Sequence, residues 1–214
     1  TFKHFDIKKE IEVIVNFVDV SRFQRQPINA FKKVIAPNGE RILLHASNFR
    51  KIKRVQDVVK IFAEVNKQIP SKLLFVGDGP ERSTAEDLAR ELGVCDEIQF
   101  VGKQEQMEDI MPIADLFLLT SEYESFGLAA LEAMAAGVPV VSTNAGGLSE
   151  IVTDGDNGYM GDVGDVATMS KHALAILKDD HTLNEFKKRA AEHAKKFDIS
   201  KIIPLYEKLY ERFL

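Results

Sequence analysis

Residues 116–142 read LFLLTSEYESFGLAALEAMAAGVPVVS and contain two predicted strands that flank a loop and a helix. The predicted strands, residues 116–119 and 138–142, are largely apolar, as strands buried on both faces of a parallel sheet are. The predicted helix, residues 129–136, is rich in alanine and ends at Gly137. A strand, a helix and a second strand in this order predict one unit of a doubly wound parallel α/β sheet.

The same alternation continues on both sides of this unit. In residues 55–69, apolar side chains recur at steps of three and four and form one stripe, which is typical of a helix that packs on a sheet. From Asp165 onward the pattern is almost wholly helical, with Pro204 at a predicted kink or helix start. We therefore expect one Rossmann-like α/β domain with a helical C-terminal extension. The remaining predicted strands are residues 12–15, 42–46, 73–76 and 98–101, and the remaining predicted helices are residues 81–92 and 105–114.

Composition limits the classes of protein that this chain can represent. Its 214 residues are 45% hydrophobic, enough for one sizeable domain, and the net charge of −5 leaves no broad basic surface for nucleic acid. The single cysteine, Cys95, excludes an internal disulfide and supplies no metal-binding cluster. Because the sequence has neither a run of about 18 uncharged apolar residues nor an N-terminal signal peptide, we expect a cytoplasmic protein without a membrane span.

In doubly wound sheets, ligands bind at the carboxyl ends of the strands, next to helix N-termini. The loop after residues 42–46 is strongly basic and includes Arg50 and Lys53, whose charges suit a diphosphate, although such a loop can also be merely solvated. The loop after residues 73–76 begins with Gly77, which permits close approach by a ligand. Arg82 stands where a dinucleotide fingerprint needs a third glycine, which argues against a nicotinamide cofactor.

The loop after residues 116–119 carries the most informative acids. Glu124 and Glu132 are eight residues apart, which on a helix is an advance of about 12 Å and a rotation of about 80°, so both carboxylates can face one long ligand. Carboxylates accept hydrogen bonds from paired hydroxyls, such as those of a sugar and a ribose. The alternative is a surface helix with two ordinary acids, but a glutamate in so apolar a helix is costly unless a partner satisfies it. The backbone N–H groups between the two acids can hold phosphate oxygens, and they belong to Ser125, Phe126, Gly127 and Leu128.

Two further loops leave alternatives open. Gly146 and Gly147 precede a predicted helix, and their backbone can line a ligand or simply form a tight crossover. Asp154 and Asp156 resemble a metal-binding acid pair, but their Gly- and Asn-rich surroundings favour a turn. We therefore expect no metal.

Residues 121–141, with two glutamates separated by seven residues, resemble the motif of the retaining GT-B glycosyltransferases usually numbered family four. Further family marks occur in order at residues 11–19, 77–81, 100–102, 146–150 and 154–158, so the resemblance covers nearly the whole chain. It implies that residues 1–214 form the C-terminal, donor-binding half of a GT-B fold. Residues 1–20 would lie near the hinge, residues 198–214 would form a C-terminal helix, and the N-terminal acceptor domain would be absent from this chain.

The resemblance also implies roles for individual residues. Glu124 would bind hydroxyls of the transferred sugar, Glu132 the ribose hydroxyls, and Lys53 the diphosphate. Many relatives have an arginine at the position of Asn48, so either Arg50 compensates or the phosphate is held differently here. The backbone of Phe126, Gly127 and Leu128 would hold phosphate, and the turn that ends at Lys103 would meet the base.

Within the family, residues 47–58 and 124–127 most resemble members that transfer N-acetylglucosamine from UDP to L-malate in bacillithiol synthesis. The resemblance implies a retaining hexosyltransferase that uses front-face attack, with the leaving diphosphate as base and with neither metal nor cofactor. The small acceptor would bind mostly to the missing domain, so the isolated residues should transfer poorly. Two alternatives stay open, a nucleotide-sugar epimerase and a non-catalytic nucleotide-binding module, and a homo-oligomer is compatible with either.

Overall fold

The computed structural model of this chain describes residues 12–25 and 28–213. Within these ranges, six strands form one sheet in the order β3-β2-β1-β4-β5-β6, and every neighbouring pair is parallel. The predicted doubly wound parallel sheet is therefore confirmed. The strands are β1 Arg41–Ser47, β2 Ser71–Gly77, β3 Ile98–Phe100, β4 Leu116–Leu119, β5 Val140–Thr143 and β6 Gly158–Gly161.

Helices cover both faces of the sheet and form the C-terminal part of the chain, as predicted. Pro204 lies inside the last helix rather than at a helix start. The predicted helix at residues 105–114 is split, because a short α-helix passes into a 3-10 turn that contains Pro112. The helices are α1 Val20–Phe23, α2 Asn29–Ile35, α3 Val55–Asn66, α4 Arg82–Glu91, α5 Met107–Ile110, α6 Leu128–Ala135, α7 Val166–Leu177, α8 Asp180–Ala194 and α9 Ile199–Glu211.

The sheet separates two apolar cores. Because side chains alternate along a strand, Leu44 of β1 joins one core and Leu43 the other. On the first face α6 packs against α1 and α8, and on the second face α3 packs against α4 and α7. Burial on both faces explains why the strands read as continuous apolar runs in the sequence.

The strand predicted at residues 12–15 is wrong, because residues 12–17 have no regular secondary structure. Their β-branched side chains suggested a strand, yet Val13 is 71% exposed. This segment instead lies beside α9, where the Phe17 and Tyr206 rings are 6.4 Å apart in an edge-to-face arrangement. Residues 1–11, which include most of the predicted hinge, and Leu214 of the predicted C-terminal helix lie outside the described residues.

Strand β6 was missed in the sequence, because Gly158 and Gly161 make its four residues look like part of a turn. The structure shows why a glycine suits this strand. A Cβ atom at position 158 would lie 2.2 Å from the Val140 carbonyl oxygen of β5, so a larger residue would disturb the pairing. The strand therefore requires glycine, although glycine has a low propensity for β-strands.

Candidate functional site

The strand order reverses between β1 and β4, and the loops after these two strands meet at the carboxyl edge of the sheet. In open α/β sheets this switch point is the usual ligand crevice. Lys53 follows β1 and Glu124 follows β4, and the Lys53 Nζ atom lies 2.7 Å from the Glu124 Oε2 atom. Their side chains are only 20% and 17% exposed. The structure thus brings together two predicted site residues that are 71 positions apart.

Backbone groups hold the two loops together independently of this ion pair. The Thr120 hydroxyl donates to the Lys53 carbonyl oxygen at 2.9 Å. The Glu122 N–H donates to the Ile52 carbonyl oxygen at 2.8 Å. The ammonium and the carboxylate therefore project from a framework that fixes their bases, which favours a preorganised site.

Helix α6 begins directly after the loop that carries Glu124. Its N-cap is Gly127, with φ of 97°, a conformation that favours glycine. A Cβ atom at this position would also lie 2.6 Å from the Leu148 side chain. The first backbone N–H groups of a helix lack partners within the helix and attract anions. This helix start, with Leu128 as its first residue, is suited to a phosphate beside Lys53.

Glu132 lies farther along α6 and lines a pocket of about 530 Å³ together with Arg22, Glu108 and Leu128. Burial raises the pKa of the Glu132 carboxyl, while the positive charge of Arg22 opposes this shift and Glu108 adds to it. Arg22 is itself paired with Glu108 at 3.0 Å. Glu132 therefore places a largely buried carboxyl group in a pocket whose lining includes neither Lys53 nor Glu124.

The glycine pair after β5 supports the Glu124 loop. The Gly147 N–H donates to the Glu124 carbonyl oxygen at 2.8 Å. Cβ atoms at positions 146 and 147 would lie 1.9 Å from the Glu124 carbonyl oxygen and 2.3 Å from the Ser125 carbonyl oxygen. Close packing of backbone on backbone is therefore a sufficient reason for glycine at both positions.

The remaining predicted site residues lie at the carboxyl ends of β1, β2, β3 and β4 or in the loops that follow them. Asn48 and Arg50 are exposed after β1, and Lys103 is exposed after β3. Gly77 approaches protein backbone, since a Cβ atom there would lie 1.8 Å from the Ser47 carbonyl oxygen. Ser125 is exposed, whereas the Phe126 ring is buried against Phe197 with centroids 5.9 Å apart, which leaves its backbone for any ligand contact.

His45 was missed in the sequence, although it lies directly below the basic loop. Its Nδ1 atom is 2.9 Å from the Leu118 carbonyl oxygen, and its Nε2 atom is 2.8 Å from the Ser47 hydroxyl. Burial lowers the pKa of His45 to about 4, so the neutral ring donates to Leu118 and accepts from Ser47. The Ser47 oxygen then accepts from the Phe49 N–H, in a turn where Phe49 has φ of 35°. The sequence did contain a signal for this residue, because a histidine is unusual in an otherwise apolar predicted strand, residues 42–46.

The acids that resembled a metal site form a turn. The Asp154 carboxylate accepts from the Met160 N–H at 2.8 Å, and Asp156 lies 3.7 Å from Arg189. In the part of the chain that the structure describes, no group of three or more His, Cys, Asp or Glu side chains is placed to hold a metal ion. None of the described helices combines the length and the apolarity needed to cross a membrane.

The chain matches the family model of glycosyl transferases group 1 over residues 28–196. It is 42% identical over 204 residues to N-acetyl-alpha-D-glucosaminyl L-malate synthase of Bacillus anthracis, which covers 94% of this chain and 54% of that protein. It is 30% identical over 209 residues to D-inositol 3-phosphate glycosyltransferase of Corynebacterium kroppenstedtii, covering 91% and 46% respectively. The chain belongs to the group 1 glycosyltransferase family and spans about half the length of these curated relatives.

Solved structures have the same fold. Anabaena HepE in complex with UDP and glucose superposes with a TM-score of 0.84 at 25% identity, covering 93% of this chain and 56% of that chain. Sucrose-phosphate synthase from Thermosynechococcus elongatus has a TM-score of 0.83 at 25% identity, covering 94% and 52%. The Rossmann-like domain is thus one that GT-B glycosyltransferases share, as the sequence motifs predicted.

Proposed function

We propose that this chain is the donor-binding domain of a retaining glycosyltransferase that uses UDP-N-acetylglucosamine and a small acceptor such as L-malate. The observation that carries the proposal is the 2.7 Å contact between Lys53 and Glu124 beside the start of α6. A diphosphate needs a cation and a helix N-terminus, and a sugar needs a hydrogen-bond acceptor. The identity of 42% to an N-acetylglucosaminyl L-malate synthase and the UDP-bound fold relative support this donor and acceptor.

The proposed roles follow the arrangement of the side chains. Glu124 binds sugar hydroxyls, Lys53 binds the diphosphate, and Glu132 binds the ribose hydroxyls in the neighbouring pocket. Asn48 and Arg50, in the same loop as Lys53, add polar groups next to the diphosphate. The backbone of Ser125, Phe126, Gly127 and Leu128 faces phosphate oxygens, Gly77 shapes the adjoining turn, and the loop of Lys103 meets the base.

In the proposed reaction, the bond between the sugar and the diphosphate breaks while the acceptor oxygen bonds to the same face of the sugar. The departing diphosphate oxygen takes the acceptor proton, so no protein base is required. Lys53 and the α6 N-terminus stabilise the negative charge that develops on the diphosphate. Because these groups supply the positive charge, we propose that neither a metal nor another cofactor takes part.

The first prediction separates the two ends of the donor. Calorimetric titration with UDP and UDP-N-acetylglucosamine should show that Glu132→Ala weakens both ligands, because both contain the ribose. Glu124→Ala should mainly remove the additional affinity that the sugar gives. Each lost set of hydrogen bonds is expected to cost about 1–3 kcal/mol.

Glu91→Ala is the matched control, since Glu91 is exposed at the end of α4 and outside the proposed site. Unchanged affinity in both site variants would contradict the proposed donor site. Conversion of UDP-N-acetylglucosamine to another nucleotide sugar without any acceptor would favour the epimerase instead.

A further inference from the structure

Arg54 follows Lys53, and its guanidinium lies where the loops after β1, β4 and β6 meet. The Nε atom donates to the Asp57 carboxylate at 2.6 Å, and the Nη1 atom donates to the Glu122 carboxylate at 3.0 Å. A Cβ atom at Gly164, after β6, would lie 3.1 Å from the Nη2 atom, so a glycine there leaves room for the guanidinium. This side chain thus bridges α3 and the loop after β4, and it lies beside the loop after β6.

The backbone conformation of Arg54 would be easier for glycine, which indicates that the arginine side chain contributes to the structure or to the site. Its φ of 49° and ψ of 46° place it in the left-handed region, which costs free energy for a residue with a Cβ atom. A glycine would adopt this conformation without strain and serve equally well at the start of α3. Strained conformations of this kind persist where the surrounding contacts offset them, and the two carboxylates are such contacts.

Arg54 is placed to control both charged residues of the donor site. It is the neighbour of Lys53, and its partner Glu122 is two residues from Glu124. The Thr120 hydroxyl also lies 3.1 Å from the Arg54 carbonyl oxygen, so backbone and side chain of Arg54 both hold the loop after β4. The Arg54–Glu122 contact thus adds a side-chain link to the backbone bonds that hold the Glu124 loop beside the Lys53 loop.

We propose that Arg54 is a positioning residue, which bridges Asp57 and Glu122 and thereby fixes the Glu124 loop against the Lys53 loop. This inference rests on the proposed donor site, in which Lys53 binds diphosphate and Glu124 binds sugar. Arg54 itself touches no substrate. It sets the spacing between a phosphate-binding ammonium and a sugar-binding carboxylate, and so determines how well the site accepts a sugar attached to UDP.

The sharper test is Glu122→Ala, because it removes the link to the Glu124 loop and leaves the Arg54–Asp57 pair intact. The Glu122 side chain is 47% exposed, so the melting temperature should change little. We expect UDP-N-acetylglucosamine to bind about fivefold more weakly, while the affinity for UDP stays within about twofold. Arg54→Gly should give the same selective loss, and the double variant should be no weaker than Arg54→Gly alone, because both changes break the Arg54–Glu122 contact.

Glu91→Ala is again the matched control, and titrations of the 214-residue chain are compared with melting temperatures. Wild-type affinity for UDP-N-acetylglucosamine in both Glu122→Ala and Arg54→Gly would overturn the inference. A fall in melting temperature with equal losses for UDP and UDP-N-acetylglucosamine would also overturn it, since it would mark a purely structural contact. If the wild type binds neither ligand, or Glu132→Ala binds UDP normally, the proposed function itself fails.

Discussion

At the scale of single residues, the two side chains that we propose to bind the donor, Lys53 and Glu124, are paired with each other. A diphosphate that approaches Lys53 competes with the Glu124 carboxylate for the ammonium, since the two atoms lie 2.7 Å apart. Sugar hydroxyls, in turn, compete with Lys53 for the carboxylate. A complete nucleotide sugar replaces both halves of the ion pair at once, whereas UDP replaces only one and leaves Glu124 without its cation.

This competition predicts opposite effects of one substitution on two ligands. Glu124→Gln removes the carboxylate charge and frees Lys53, so UDP should bind about twofold to fivefold more tightly, the range expected for a partly exposed ion pair. UDP-N-acetylglucosamine should bind more weakly, because the glutamine is a poorer acceptor for sugar hydroxyls. Calorimetry at low and moderate salt concentrations measures both effects. Weaker binding of UDP by this variant would show that Glu124 does not compete for Lys53.

At the scale of elements, the site depends on glycine-mediated contacts between loops. Gly147, in the 3-10 helix Gly146–Glu150, supports the backbone of Glu124 and Ser125 from below. The start of α6 depends similarly on Gly127, whose conformation sets the direction of the first helical N–H groups. These glycines act through the shape of the backbone, and they fix where the side chains of other residues project.

We predict that Gly147→Ala will damage both stability and donor binding. Its Cβ atom would overlap the Ser125 carbonyl oxygen at 2.3 Å, so the loop must move, at a cost of about 1–3 kcal/mol in the free energy of unfolding. Affinity for UDP-N-acetylglucosamine should fall as well, because the same loop carries Glu124. Thermal unfolding and calorimetry measure the two effects.

Gly39→Ala serves as the control for this prediction. Gly39 has φ of 80°, and a Cβ atom at this position would meet no other atom within 4 Å. It precedes β1, at the opposite end of the strand from the basic loop. This variant should lose about 1 kcal/mol of stability through backbone strain and keep its donor affinity. Normal donor binding by Gly147→Ala would contradict the supporting role of Gly147.

At the scale of the whole molecule, the described residues form one sheet with a core on each face. The candidate site lies at the carboxyl ends of its central strands. The chain covers 54% of its 42%-identical curated relative. The proposed donor groups all belong to the described domain, and we assign no acceptor-binding residues to it. We therefore propose that donor binding and acceptor binding are divided between two domains.

This division predicts that the 214-residue chain binds UDP-N-acetylglucosamine but transfers its sugar poorly. The rate of transfer depends on holding donor and acceptor together, and in the proposed arrangement these residues bind only the donor. Product formation from UDP-N-acetylglucosamine and L-malate should be measured alongside donor titration. Rapid transfer by these 214 residues would show that they contain an acceptor site as well.

The sequence alone was sufficient for the fold class and indicated the types of residue at the candidate site. Apolar runs predicted five of the strands of the sheet, because most of these strands are buried on both faces. Apolar stripes at helical spacing predicted helices, because each of these helices buries one face. Glu132 in α6 and Glu124 in the loop before it stood out, because an acid in so apolar a segment is costly without a partner. The same local reasoning failed for residues 12–15, which pack beside α9, and for β6, whose glycines are required by a neighbouring strand.

Tertiary structure decided which of these residues meet. Lys53 and Glu124 are 71 positions apart, and they pair because β1 and β4 are neighbours in the sheet. Strand order is set by packing of the whole domain, and no local period encodes it. The role of Gly147 and the bridge formed by Arg54 likewise depend on loops that converge only in the folded chain. Sequence thus determined the elements and the chemistry available, while the fold determined the distances through which that chemistry acts.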